Sequence, residues 1–442
     1  MGIVTQVALT MQNMLGLVAE QVARGCRLIR RQRKFSGATL VQTMVLGFLR
    51  KPNASLDDLA ATAAQLGVNV TPQAIEKRFT AALVDCLRQV WEVVVQQVVA
   101  AQPLAIPLLQ KFTHVRIGDS TTIALPDEFA AEFPGCGGKS DSGLAALKIQ
   151  VQWDLSNGAL TKLELEAGRD SDARSVLQRD LPPAGSLSIY DLGYFALAKF
   201  WTWIAAGAYW ISRLQPGTAV YDAQGRPLNL LDELPRMAGA EPVDMPVLLG
   251  KSERVPCRLI AVRAPQHVVG RRRRKAYEKA QKHGRVPTAE HLAWCAWTVF
   301  ITNCPLDMLT WKEVVVLYRS RWQIELLFKL WKSHNLLAKP KRVSAHRQLA
   351  ELFARMTAVI LQHWLLLSTV WEDVRHSFVK AAKVIRDNLV LLTTHWNDLE
   401  KLAAAIQTLA QLLARHTQIN RRRKSPGTFQ LLQNPELLAY GA

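Results

Sequence analysis

Cysteine is scarce in this chain. Six residues (Cys26, Cys86, Cys136, Cys257, Cys295 and Cys304) are scattered over 442 positions without close pairs. That scatter fits a reducing cytoplasm and speaks against a disulfide framework or a zinc site. Acid is short too: 36 Asp and Glu stand against 55 Lys and Arg, a formal charge of +19. A surplus that size costs self-repulsion unless a polyanion takes it up, so nucleic acid or an acidic membrane is the expected partner. Long apolar runs are missing. The longest, MTAVILQHWLLLSTVW (356–371), is too short for a bilayer span and holds Gln362 and His363. A buried helix is expected there, and no membrane association. The first twenty residues lack a basic n-region, so no secretory leader is expected, and Gln6 argues against myristoylation at Gly2. Internal repeats and low-complexity tracts are absent. Apolar residues make up 49% of the chain, enough for a large core.

The texture changes along the chain. Residues 1–105 read as helical. SLDDLAATAAQLG (55–67) has Ser55 as N-cap and Gly67 as stop, and a second helix opens at 71 with Thr71 as cap and Pro72 at its first position. Helix, short turn, helix in a basic chain suggests a DNA-binding domain, and an αα-hairpin in a bundle fits the same pattern. Residues 106–214 turn β-rich: THVRIGDSTTIALP, AALKIQVQWDL and ALTKLELEAG read as three consecutive antiparallel strands. A helix is expected over 169–181, a fourth strand over 186–195, a helix, and a fifth strand over 208–214. That order resembles a ribonuclease H-like α/β core. Residues 215–290 read as a β-rich insertion ending in a basic stretch. The core resumes over 291–342, and 343–442 is helical again.

Three acids stand where acids are awkward. Asp119 follows the alternating HVRIG, Asp191 ends LSIY, and Glu325 lies on the helix YRSRWQIELLFKLWKSH (318–334). A carboxylate at a strand end in apolar surroundings is costly to ionise unless a cation compensates it. Convergence of two or three makes an oxygen-rich site suited to Mg²⁺, with Mn²⁺ as substitute, and to in-line phosphoryl transfer. Singly, each has a plain alternative: Asp119 capping a turn, Asp191 starting one, Glu325 pairing with Arg321 or Lys329. Asp154, Asp170, Asp172 and Asp180 also lie near strand or helix ends. On a 100° wheel, Tyr318 and Lys332 fall within about 20° of Glu325 and Arg321 about 40° away, beside an apolar stripe of Leu317, Ile324 and Trp331. In GRRRRKAYEKAQKHGRVP, Arg271, Arg272, Arg273, Arg274 and Lys275 form a stripe expected to follow a DNA backbone. RLIRRQRKFSG (27–37) and NRRRKSP (420–426) are similar.

The spacing Tyr-x2-Arg-x3-Glu-x6-Lys, met by Tyr318, Arg321, Glu325 and Lys332, resembles the signature of the insertion sequence 4 group of bacterial DDE transposases. GDSTTIALP around Asp119 and YDLGYF around Asp191 are similar to that family's acid blocks. The resemblance implies that Asp119, Asp191 and Glu325 are a metal-binding catalytic triad. It implies that Tyr318, Arg321 and Lys332 grip phosphates, and that a Trp (best matched by Trp297, with Trp294 and Trp322 as rivals) stacks on a base flipped from a hairpin end. It implies double-stranded DNA as partner: terminal inverted repeats, then target. A homodimer is expected because two ends must be joined, with contacts from 343–442. The expected location is the bacterial cytoplasm, at the nucleoid. The alternative is a catalytically inactive DNA-binding regulator derived from a transposase.

Overall fold

The structure, a computed structural model, describes all residues except 1, 30–33, 138–142, 238, 240, 336, 338–342, 370, 372–375, 420–425 and 439–442. The chain divides into two compact units. The first holds Met1–Leu104, Ser120–Asp170 and Ile324–Arg421; the second holds Ala105–Asp119, Ser171–Gln323 and Arg422–Ala442. In chain order, the elements that matter most are α1 (Ala81–Val95), β1 (Val115–Leu125), β2 (Ala145–Asp154), β3 (Leu160–Ala167), β4 (Leu187–Tyr190), α2 (Leu197–Ala205), β5 (Tyr209–Arg213), β6 (Val220–Tyr221), β7 (Val243–Leu249), β8 (Val255–Arg263), α3 (Gln266–Gln281), β9 (Trp297–Thr302), α4 (Trp311–Ser320), α5 (Trp322–Lys329) and α6 (Ala345–Leu367).

The first unit is built on α6. Its N-cap Ser344 accepts from the Arg347 amide, and every residue from Leu349 to Leu367 is buried. A helix apolar on all sides belongs inside a protein, and α6 packs against α1 and the helix Gly37–Arg50. The longest apolar run is therefore a core helix for most of its length, and among the described residues no helix is long and apolar enough to cross a membrane. β2 and β3 form an antiparallel pair from Leu147↔Ala167 to Trp153↔Leu160. Their turn is fixed to α6 by His363, whose Nε2–H donates to the Gly158 carbonyl at 2.7 Å. Burial pushes this imidazole down to about 4, so it stays neutral at physiological pH.

The second unit contains a mixed sheet. β1 pairs with β4 and β4 with β5 in parallel; β5, β9, β8, β7 and β6 then follow as antiparallel neighbours. The strands of 215–290 thus continue the sheet through β9. α2 covers an aromatic core in which Phe200 stacks on Trp210 at 4.0 Å and Tyr190 lies beside Trp203.

Three local expectations are corrected. The helix over 169–181 is two short 3-10 turns, Asp172–Arg174 and Val176–Gln178, because Ser175 adopts extended backbone and its hydroxyl accepts from the Leu177 amide. The helix from Pro72 stops at Glu76, and a new cap, Thr80, opens α1. The helix over 318–334 is three pieces: α4, α5 and the π-turn Leu330–His334, with Arg321 as the C-cap of α4. The basic stretch, finally, lies on a regular helix, α3.

Candidate active site

Parallel pairing brings two of the acids side by side. β1 and β4 run in register from Val115↔Leu187 to Gly118↔Tyr190, and an aspartate follows in each case: Asp119, still within β1, and Asp191, the first residue after β4. Gly118 makes the close approach possible. A Cβ there would lie 2.0 Å from Cε1 of Tyr190. Asp191 stands at the N-cap position of the turn Leu192–Tyr194, yet its side chain makes no capping bond.

α4 delivers the groups that meet these carboxylates. Arg321 Nη1 donates to Asp119 Oδ2 at 2.9 Å, and Arg321 Nη2 lies 4.0 Å from Asp191 Oδ1. Arg321 is 13% exposed, Asp119 19% and Asp191 48%, so the shared guanidinium is the most enclosed of the three. The Tyr318 hydroxyl donates to Asp191 Oδ1 at 3.4 Å, and its ring packs on Phe300 at 5.2 Å. Burial, reinforced by the Asp191 charge, pushes this phenol up to about 12, against the opposing pull of Arg321 and Arg213. Tyr318 is therefore a donor at any physiological pH.

Arg213 escaped the sequence reading. It ends β5, opposite Phe300 of β9, and contributes positive charge beside Tyr318. The available signal was a cation closing the apolar strand AYWISRL.

Asp119, Asp191, Tyr318 and Arg321 thus form one group in the second unit. Glu325 and Lys332 belong to the first unit, Glu325 in the first turn of α5 and Lys332 in the π-turn Leu330–His334. Among the described residues, no three of His, Cys, Asp and Glu are gathered as a metal-holding group. The pair nevertheless fits Mg²⁺: both are carboxylates, they already share one cation, and Mg²⁺ is commonly held by one or two carboxylates completed by substrate phosphates. Two of the competing acids have structural work: Asp154 accepts from the Ser156 amide and Asp170 from the Ala167 amide.

Trp297 is a core residue, 7% exposed, at the start of β9. In this state a base could reach the indole only after the indole left the core. Trp294 packs against the same cluster, whereas Trp322 is 57% exposed.

The basic helix also divides. Arg271, Arg273, Arg274 and Lys275 are exposed. Arg272 instead shares the inner face with Val269 and Ala276. Its Nη1 donates to the carbonyls of Cys295 (3.2 Å) and Trp297 (3.0 Å), and Nη2 to Thr298 Oγ1 (2.8 Å). These bonds anchor α3 to β9. Within the other two basic segments, residues 30–33 and 420–425 lie outside the described residues.

Comparison with known proteins gives a consistent result. Residues 110–361 match the family described as a transposase DDE domain. The chain is 27% identical over 440 residues to the transposase for insertion sequence element IS231F of Bacillus thuringiensis subsp. israelensis, covering 93% of this chain and 91% of that protein. It is 25% identical over 362 residues to the transposase for insertion sequence element IS231B of B. thuringiensis subsp. berliner, covering 77% and 75%.

Proposed function

The chain belongs to the transposase DDE-domain family, and from that premise we propose a cut-and-paste enzyme of the insertion sequence 4, Tyr-Arg-Glu-Lys group. It binds the terminal inverted repeats of its element as a homodimer in the synapse, through the helical 1–105 region and α3, with dimer contacts from 343–442. It cleaves the ends, by way of a hairpin, and joins the freed 3′-hydroxyls to target DNA. It works in the cytoplasm, at the nucleoid. The catalytic centre is Asp119, Asp191 and Glu325 on a ribonuclease H-like core.

One observation carries this reading. The parallel register of β1 and β4 leaves two aspartates side by side, Asp119 within β1 and Asp191 just past the end of β4, sharing one cation. An Asp pair in that position serves no evident packing purpose and is suited to divalent cations. Mg²⁺, or Mn²⁺ in its place, supplies activation of the attacking water or hydroxyl and stabilisation of the leaving oxygen. The chain's own groups do the rest. Asp119 and Asp191 hold the centre from the sheet, with Glu325 as the third member of the proposed triad. Tyr318, protonated, donates to a phosphate oxygen; Arg321 offers a forked donor and Lys332 a point charge. Fixing the scissile phosphate in this way is a large part of phosphoryl-transfer catalysis. The inactive-regulator reading has no observation in its favour: both acid blocks and the signature are intact.

The test is Glu325→Ala with a labelled element end. End binding should be unchanged and strand cleavage lost; continued Mg²⁺-dependent cutting by the variant would refute the triad.

A further inference from the structure

We infer that Arg321 is an internal counter-cation for the Asp119–Asp191 pair, released to a DNA phosphate when an end binds, so that divalent-cation loading is coupled to DNA engagement. The inference rests on the triad reading above and adds a regulatory step at the same site.

The geometry is that of an occupied cation position. The guanidinium donates to Asp119 at 2.9 Å and stands 4.0 Å from Asp191, and it is less exposed than either carboxylate. Two carboxylates side by side on neighbouring strands repel one another, and Arg321 supplies compensating charge. A divalent cation shared by the same carboxylates would place two or more positive charges against the guanidinium in a half-buried site, where screening by water is weak. The two cations therefore compete.

DNA resolves the competition. A phosphate accepts two parallel N–H bonds from a guanidinium as well as a carboxylate does. Arg213, fixed at the end of β5, keeps positive charge beside Tyr318 and favours a phosphate nearby. Once Arg321 turns to the phosphate, its positive charge no longer opposes a divalent ion at the two aspartates. Thermodynamic linkage makes the effect reciprocal, so the ion must tighten end binding by the same factor by which DNA tightens ion binding. The consequence is that protein without DNA holds its catalytic ion poorly.

The experiment reads Mn²⁺ binding, not activity, by loss of the free-ion electron paramagnetic resonance signal with the full chain. Arg321→Gln keeps hydrogen-bonding capacity and drops the charge. DNA-free Arg321→Gln should bind Mn²⁺ about tenfold more tightly than DNA-free wild type, toward the lower end of the usual range for coupled sites. Arg321→Lys, which keeps the charge, should bind as weakly as wild type. Adding a saturating duplex end to wild type should tighten Mn²⁺ by a similar factor, a measurement that needs no variant to fold. Equal DNA-free affinities for wild type and Arg321→Gln, or a wild-type affinity indifferent to DNA, would overturn the inference. Asp119→Asn separates the two failures. If it weakens Mn²⁺ binding while Arg321→Gln has no effect, the Asp pair stands as the metal site and only the coupling falls. If it leaves Mn²⁺ binding unchanged with and without DNA, the site assignment falls and the coupling with it.

Discussion

Gly118 is the position at which a single methyl group should separate the fold from its chemistry. A Cβ added there would lie 2.0 Å from Cε1 and 2.5 Å from Cδ1 of Tyr190. Ordinary contact begins at 3.4 Å, so ring or strand must move by about 1.4 Å. The ring has little room: Tyr190 is 5% exposed, with the ring centroids of Tyr194 at 5.3 Å and Trp203 at 5.8 Å. Overpacking of this kind costs about 1–3 kcal/mol. The strain falls one residue before each aspartate, and a displacement of about 1 Å in a catalytic group costs on the order of 10²-fold in rate. Gly118→Ala should therefore lower the unfolding free energy by an amount in that range, seen as a lower urea midpoint, and reduce end cleavage about a hundredfold. End binding should be affected far less.

A double-mutant cycle identifies the cause. Tyr190→Leu removes the ring edge that the new methyl strikes, so the loss in Gly118→Ala/Tyr190→Leu should be smaller than the sum of the single losses. A coupling of about 0.5–3 kcal/mol is expected for residues in direct contact. Additive losses, or a Gly118→Ala protein with unchanged midpoint and cleavage, would show that the register of β1 and β4 does not depend on this contact.

Two further predictions follow from the same geometry. The Tyr318 phenol is held up to about 12 against an ordinary 10.0, so the folded state binds its proton more tightly; the resulting stability is intact below pH 10 and is lost as pH rises through about 12. Tyr318→Phe should flatten the alkaline limb of the stability profile over that window and remove one late-titrating phenolate from the absorbance at 295 nm. Arg272→Ala should destabilise the fold by about 1.5–3 kcal/mol through its lost carbonyl and hydroxyl partners. Arg271→Ala should leave the urea midpoint unchanged and lower the slope of log affinity against log salt by about one, as loss of a phosphate contact does.

What the sequence disclosed depended on whether the signal was local. Strand alternation marked β1, β2 and β3, and the acids at 119 and 191 were legible as carboxylates in apolar surroundings, although Asp119 lies inside β1 and not at its end. The caps at Ser55 and Thr71 were legible because a cap is a short-range bond: each side chain accepts from an amide three residues on. The seven-residue stripe also held, since Leu317, Ile324 and Trp331 are all buried. The interruption at Arg321 was not legible. No Gly or Pro marks it, and Arg321 keeps helical dihedrals (φ −51, ψ −33). The partnership of Arg321 with Asp119 could not be read at all, because it joins residues 202 positions apart. Helical spacing offered only Glu325 and Tyr318 as its neighbours. The burial of Trp297 was hidden for a similar reason: WTVFIT reads as a strand, but which face meets α2 and its aromatic core depends on the whole sheet.

The net charge shows the same limit from the other side. A formal +19 identifies a polyanion as partner without identifying the groups that touch it. Several arginines are committed internally. Arg258 forms two 2.6 Å bonds to Asp244 and a third to the Leu309 carbonyl. Arg355 and Arg347 share the buried Glu351. Arg272 holds β9, and Arg321 holds Asp119. None of these releases a counterion from DNA while it keeps its present partner. Counterion release counts phosphates neutralised, at about 0.9 in the salt slope for each. The slope of end binding therefore measures the exposed set, with Arg271, Arg273, Arg274 and Lys275 at its centre, and must fall well below the formal charge. If Arg321 exchanges Asp119 for a phosphate on binding, it enters that count only in the complex. Wild type should then show a steeper slope than Arg321→Gln, by about one.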